Sequence, residues 1–239
     1  MKCESRWIRW VLLFMLALAA LVSCSQLTAP GTLLYFVERE PGGEPYRTRM
    51  IVTVGFLRID SGTGSEDFLL FDRADGTIYN VLSADKQILV IGHRLMLPTP
   101  PDFKSKVVPD DQQVPSVGGH KVRHYKLLTN EKPCYDLYAA EGLLTDAVLA
   151  LREYHEALAG EQAVTVSSFP KGTQSPCDLA NNVYLPARHL AHGFPVRYTD
   201  MSGRTSELVD YADYRAEAAV FRLPKNYRRK MIEDLRGKK

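Results

Sequence analysis

The stretch "FLRIDSGTGSEDFLLFDRADGTIYNVLSADKQILVI", residues 56–91, decides the fold. Three short segments in it or just overrunning it, "DFLLFDR" (67–73), "TIYNVLS" (77–83) and "KQILVIG" (86–92), are rich in β-branched and aromatic side chains. Between and before them lie "SGTGSE", "ADG" and "AD", whose Gly, Ser and Asp residues supply the tight turns that join antiparallel neighbours. Upstream, "TLLYFVERE" (32–40) and "MIVTVGFLRID" (50–60) flank "PGGEP", which extends the pattern to a meander of at least five strands. The strands do not alternate cleanly between apolar and polar residues. In "DFLLFDR", Phe68 and Leu70 take one face while Leu69 and Phe71 take the other, so both faces of the sheet are apolar at its centre. One face therefore needs a cover, or is lined up to hold something.

Candidates for a cover come later in the chain. A loop rich in Pro and Asp (98–117) leads to two more strands, "GHKVRHYKLL" (119–128) and "CYDLYAA" (134–140). The segment 145–160 places Ala147, Val148, Leu151, Tyr154 and Leu158 on one helical stripe, with Gly160 as its expected stop. A second helix is expected from Asp178, carrying Leu179, Val183 and Leu190, kinked at Pro186 and ending at Gly193. Strands return in "FPVRYTD" (194–200), "TSELVDYADY" (205–214) and "AEAAVFRLP" (216–224), and the chain closes on a basic tail, 229–239. The pattern is α+β: an antiparallel β meander with two helices on one face.

The first residues have another purpose. Lys2, Arg6 and Arg9 precede an uncharged apolar run from Trp10 to Val22, shorter than the roughly 20 residues a membrane-spanning helix needs. This is the layout of a secretory signal peptide, residues 1–23. Leu21-Val22-Ser23-Cys24 resembles the bacterial lipobox, which implies diacylglyceryl attachment at Cys24 and cleavage before it, followed by a tether, 24–31. Ser25 rather than Asp after that cysteine points to the periplasmic face of the outer membrane, with inner-membrane anchoring as the alternative. Removing 1–23 takes away three cations and Glu4, which brings the formal net charge of +2 to zero. A neutral body argues against a general nucleic-acid binder.

With Cys3 in the signal and Cys24 carrying lipid, Cys134 and Cys177 remain. In an oxidising compartment they are expected as a structural disulfide, against the alternative of two buried thiols.

The segment 56–91, together with "FPVRYTDMSGRTSELVDYADYRAEAAVFRLPKNY" (194–227), resembles the periplasmic carriers and receptors that sort outer-membrane lipoproteins. Shared features are a strand ending in Arg-Ile-Asp (58–60), a short hairpin after it, and a late Phe-x-Leu-Pro-x-x-Tyr (Phe221 to Tyr227). The resemblance spans about 32–228, taken as one domain, and implies an incomplete (half) barrel whose two helices cover the concave face and a cavity for an acyl chain or lipoprotein. The chain departs from that family in two places. The turn "SGTGSE" is polar where the family's lipidated receptor projects an apolar loop, and the two cysteines lie outside the basic pattern. No functional residue is carried over, and ligand-binding residues are left unassigned.

Catalytic motifs weigh little here. "SADK" (83–86) has the S-x-x-K spacing of penicillin-recognising enzymes but sits at a hairpin turn without partner motifs. His120 and His124, four apart on a strand, would stand about 13 Å from each other, too far for one metal. His189 and His192 share a helical face without a completing ligand. "GTG" (62–64) lacks the helix that would make it a phosphate site. Tyr35, Phe36, Phe56, Phe68, Phe71 and Tyr79 are either core or cavity lining, depending on the face each takes. The expectation is a non-catalytic, lipid-anchored envelope protein without cofactor or metal, binding a hydrophobic ligand. An envelope scaffold with a protein partner and no small ligand is the alternative.

Overall fold

The computed structural model describes residues 28–62, 67–170 and 172–236. The signal segment 1–23, Cys24 and most of "SGTGSE" lie outside the described residues. Twelve strands form one open sheet in the order β12-β6-β5-β4-β3-β2-β1-β11-β10-β9-β8-β7. In chain order they are β1 (Thr28–Arg39), β2 (Tyr46–Thr53), β3 (Phe56–Asp60), β4 (Phe68–Asp72), β5 (Thr77–Leu82) and β6 (Gln87–Ile91). There follow β7 (Ser105–Asp110), β8 (Val122–Thr129), β9 (Lys132–Ala140), β10 (Phe194–Asp200), β11 (Thr205–Glu217) and β12 (Arg228–Met231). Helix α1 (Thr145–Ser167) and the short α2 (Pro176–Leu179) are inserted between β9 and β10. The sheet does not close on itself, so the expected α+β fold with an incomplete barrel stands.

Several boundaries differ from the sequence reading, each for a local reason. The run 50–60 is two strands, because Val54 and Gly55 turn the chain and the Phe56 N–H donates to Thr53 Oγ1 at 3.1 Å. The strand placed at 32 starts at Thr28, within the expected tether, where Thr28 to Gly31 pair with Glu217 to Tyr214 of β11. The two strands read in 205–224 are one, since no turn residue interrupts β11 before the 3-10 helix Ala218–Phe221. The basic tail begins as strand β12, parallel to β6, and continues as a 3-10 turn, Ile232–Arg236. The loop 98–117 contains the edge strand β7.

Helix α1 runs through Gly160, the expected stop. A Cβ there would lie 2.4 Å from the Arg94 carbonyl oxygen, so the glycine admits a close crossing of the chain after β6. The second helix is broken into α2, a π-helical turn (Ala180–Tyr184) and a 3-10 helix (Arg188–His192), with Gly193 ending the series at φ +114°.

The two apolar faces now have separate owners. On the inner face, Leu34, Val52, Leu57, Phe71 and Ile78 pack against Ala147, Ala150, Leu151 and Ala157 of α1, small residues that let the helix sit close to the sheet. On the outer face, Ile51, Phe68, Leu70, Val81 and Ile88 are covered by the chain from Ala218 to Tyr227, and Phe221 stacks on Phe56 with centroids 5.1 Å apart. The Phe-x-Leu-Pro-x-x-Tyr motif is therefore a strap across the outside of the sheet.

Candidate ligand recess on the inner face

The half of the inner face formed by β1, β11, β10 and β9 is covered differently. Strand alternation and register put Phe36 and Glu38 of β1, Ser206 and Leu208 of β11, Tyr198 of β10 and Leu137 and Tyr135 of β9 on this face. Above them lie Tyr154 and His155 of α1 and Arg188 and His189 of the 3-10 helix. The rings form a continuous set. Tyr154 and His155 are 5.3 Å apart, His155 and His189 5.1 Å, His189 and Tyr135 5.2 Å, and Tyr135 and Tyr198 5.7 Å between centroids.

Unlike the fully buried core beside it, this set is incompletely enclosed and incompletely bonded. Tyr135, Tyr154, His155 and Tyr198 keep part of their surface accessible, and the hydroxyls of Tyr135 and Tyr154 make no hydrogen bond among the described residues. His189 is buried, and its Nδ1 has no hydrogen-bond partner. Arg188 donates to Thr129 Oγ1 at 2.7 Å, to the Leu128 carbonyl at 3.2 Å and to Asn181 Oδ1 at 2.7 Å. No carboxylate pairs with it among the described residues, so its charge is balanced only by dipoles and the Tyr135 ring, 5.9 Å away. Arg204, at the rim, reaches Glu38 at 3.9 Å and Asp200 at 3.6 Å. The set combines apolar ring faces with one uncompensated guanidinium, a lining suited to an amphiphile.

Desolvation governs the titration of these groups. Burial pushes the Tyr154 phenol up to about 12 and also raises Tyr135 and Tyr198. It pushes His155 down to about 4, helped by the Arg204 charge. His189 is held well below the usual value, first by burial and then by His155, Arg188 and Arg204. Both imidazoles are neutral at pH 7. A histidine depressed in the fold leaves the unfolded chain holding more protons, so stability is full above pH 6.5 and falls as the pH drops toward 4. From His155 alone, the loss at pH 5 is about 2 kcal/mol before allowance for its partial exposure. Urea unfolding at pH 7.5 and pH 5 should therefore show a larger acid loss in the wild-type protein than in His155→Gln. An equal loss in both would contradict a desolvated His155.

The sequence-derived candidates are dispersed. Cys134 and Cys177 are bonded to each other, S–S 1.96 Å, and tie α2 to β9. Phe36 and Phe71 belong to the inner core, whereas Phe56, Phe68 and Tyr79 lie under the outer strap. Tyr35 carries the Arg47 guanidinium over its ring at 5.0 Å. His189 and His192 do not act together, since His192 stacks on Tyr125 at 4.5 Å while His189 faces His155. His124 lies between Asp110 at 3.0 Å and Asp136 at 2.9 Å, where it crosslinks β7, β8 and β9. Ser83 to Lys86 form a tight turn, with the Lys86 N–H bonded to the Ser83 carbonyl. Sequence reasoning missed His155, although its spacing, four after Leu151 and three before Leu158, places it beside the inward stripe of α1.

No family model matches the chain. No curated protein matches it either. Among solved structures, two of PNGF-II are similar to it, with TM-scores of 0.42 and 0.41 and identities of 8% and 7%. Each alignment covers 87% of this chain and 32% of that one, so this chain spans about a third of the PNGF-II length. The crystal structure of a LolA superfamily protein from Nitrosomonas europaea aligns over 89% of this chain and 94% of its own, at 10% identity and a TM-score of 0.26.

Proposed function

We propose that this protein is a lipid-anchored envelope protein that holds a hydrophobic ligand, an acyl chain or the lipidated end of another lipoprotein, against the inner face of its half barrel. The reading is non-catalytic and places the domain at the periplasmic face of the outer membrane, held by lipid on Cys24. One observation carries the ligand: beside the buried core under α1, which Tyr154 joins through Phe71, the inner face between α1 and the 3-10 helix is lined by partly accessible aromatic rings with polar atoms left unpaired. A core evolved only for packing would not leave phenol and imidazole groups without partners there. Neutral imidazoles and flat rings favour an apolar chain, and Arg188 gives an anionic head group a partner.

Native mass spectrometry of the full-length protein extracted from the envelope tests this. The expected result is stoichiometric co-purified lipid, reduced in Tyr135→Ala and Tyr198→Ala. Protein that is lipidated at Cys24 yet free of any second lipid, in wild type and variants alike, would overturn the ligand reading.

A further inference from the structure

We infer that the end of the sheet at which the described chain begins is a membrane-facing surface whose exposed apolar side chains enter the lipid interface. Antiparallel pairing fixes which turns share an end. Thr28 of β1 lies at the same end as the β2–β3 turn, the β4–β5 turn and the chain leaving β6, and the parallel strand β12 leaves there too. That end carries Val54 (85% exposed), Leu95 (85%), Leu97 (46%), Met231 (43%) and Leu235 (52%). The turns at the opposite end are "PGGEP", "SADK", "NE" and 201–204, where Met201 (44%) and the nearby Tyr46 (43%) are half exposed but no aliphatic side chain is as bare as Val54 or Leu95. Two nearly fully exposed aliphatic tips and three half-exposed ones at one end do not arise from core packing and fit an interaction surface.

The partner is a lipid bilayer, for three reasons on the molecule itself. The residues before Thr28 leave from this end, and Cys24, only four residues upstream, can lie no farther than about 14 Å from it. The sheet edge from β1 to β12 spans six interstrand steps, about 29 Å, a width suited to a broad surface rather than to a narrow peptide. The arginines of this end are paired, Arg73 with Glu153 and Arg94 with Glu161 and Glu233, while the exposed Asp75, Glu217 and Asp234 limit insertion to the head-group level. Lys230, next to Met231 on β12, suits an anionic head group at this end, whereas Arg228 pairs with Gln87 beside the turn 83–86 at the opposite end. An apolar groove of about 500 Å³, lined by Leu95, Leu97, Ala163 and Val164, opens beside the same tips. The surface deepens the anchor reading, and its test separates the two.

Both tryptophans, Trp7 and Trp10, fall in the segment 1–23, so with both changed to Phe a single new Trp reports one site. The full-length protein carrying Leu95→Trp, Leu235→Trp or, at the opposite end, Met201→Trp is bound to vesicles of phosphatidylethanolamine and phosphatidylglycerol containing brominated lipid. Quenching several-fold stronger at Leu95→Trp and Leu235→Trp than at Met201→Trp, with a blue-shifted emission, is expected. Equal quenching at the three sites, its absence at all of them, or stronger quenching at Met201→Trp overturns the proposal. Intact mass reads the lipid on Cys24 independently. Lipid present with unquenched tips removes only this surface, whereas quenched tips without lipid on Cys24 remove only the anchor.

Discussion

Replacing Asp60 with alanine should cost the fold about 3 to 5 kcal/mol, the size expected when one partner of a buried ion pair is removed. The Asp60 carboxylate is 2% exposed and accepts from Arg49 Nε and Nη2, both at 2.8 Å, from Arg58 Nε at 2.7 Å and from the Gly62 N–H at 2.9 Å. Burial pushes its pKa up, but the hydrogen bonds and charges of the two arginines outweigh it and hold the carboxyl below the usual range. Its contribution is thus present above the ordinary carboxylate value of 3.8 and is lost as the pH falls through the folded pKa. The effect extends beyond the pair. Arg58 lies 3.8 Å over the Phe68 ring and donates to the Val220 carbonyl at 2.6 Å, so it also fastens the strap over the outer face. Without Asp60, two guanidiniums face each other with no counter-charge. Asp60→Asn, which keeps the acceptor oxygen, should lose less than Asp60→Ala, and adding Arg49→Met to Asp60→Ala should restore part of the loss. Urea unfolding at pH 7 decides: a loss under about 1 kcal/mol, the worth of an exposed pair, would mean that this charge cluster is not structural.

That cluster shows how far the sequence could be read. Arg58-Ile59-Asp60 stood out as a strand ending, and the turns after β4 and β5 were legible because Asp, Gly and Ser at hairpin spacing have few other uses. Edge strands were not. β7 (SKVVPD) and β12 (RRKM) each bond to one neighbour and bury little, so charge and Pro109 are tolerated and no apolar alternation appears. The Val54–Gly55 turn was hidden inside an apolar run because the exposed Val54 looks like a strand residue. Gly160 carried two meanings, stop or close approach, and only the distant Arg94 carbonyl chooses between them. The recess was least visible of all. His155, His189, Tyr135 and Tyr198 come from four elements, and nothing local in "REYHE" or "ARHLAH" announces that the two imidazoles meet.

Placement of the elements gives the two surfaces a relation. Tyr135, Tyr198, Arg204 and Glu38 lie toward the ends of their strands farthest from Thr28, Leu95 and Met231. A domain resting on its apolar tips would therefore present the recess away from the bilayer. Its cover is the weakest part of the fold, since α2, the π-helical turn and the 3-10 helix have four or five residues each and no stability of their own.

Removing the Cys134–Cys177 bridge should accordingly act on that cover first and on the whole fold by about 4 kcal/mol, on the chain-entropy account of a loop of 43 residues. Cys134 sits where the β8–β9 register shifts, and Cys177 lies just inside α2, whose Ser175 hydroxyl caps the Asp178 N–H at 3.0 Å. Both are buried, at 1% and 2% exposure, so a Cys134→Ala, Cys177→Ala double variant avoids leaving thiols or hydroxyls unpaired in the interior. Once the bridge is gone, the cover is held to the sheet by Arg188 on Leu128 and Thr129 and by the buried side chains of Ala180, Val183 and Leu190. Hydrogen exchange should quicken across 176–192 well before it does in β2 to β5, because opening the cover exposes the recess without breaking the sheet. Co-purified lipid should fall in the same variant, while the quenching of Leu95→Trp by brominated lipid stays as it was, since the apolar tips do not touch the cover. Uniform exchange through the domain, or a stability loss below about 1 kcal/mol, would show that the bridge is incidental and that Arg188 and the buried apolar residues already hold the cover in place.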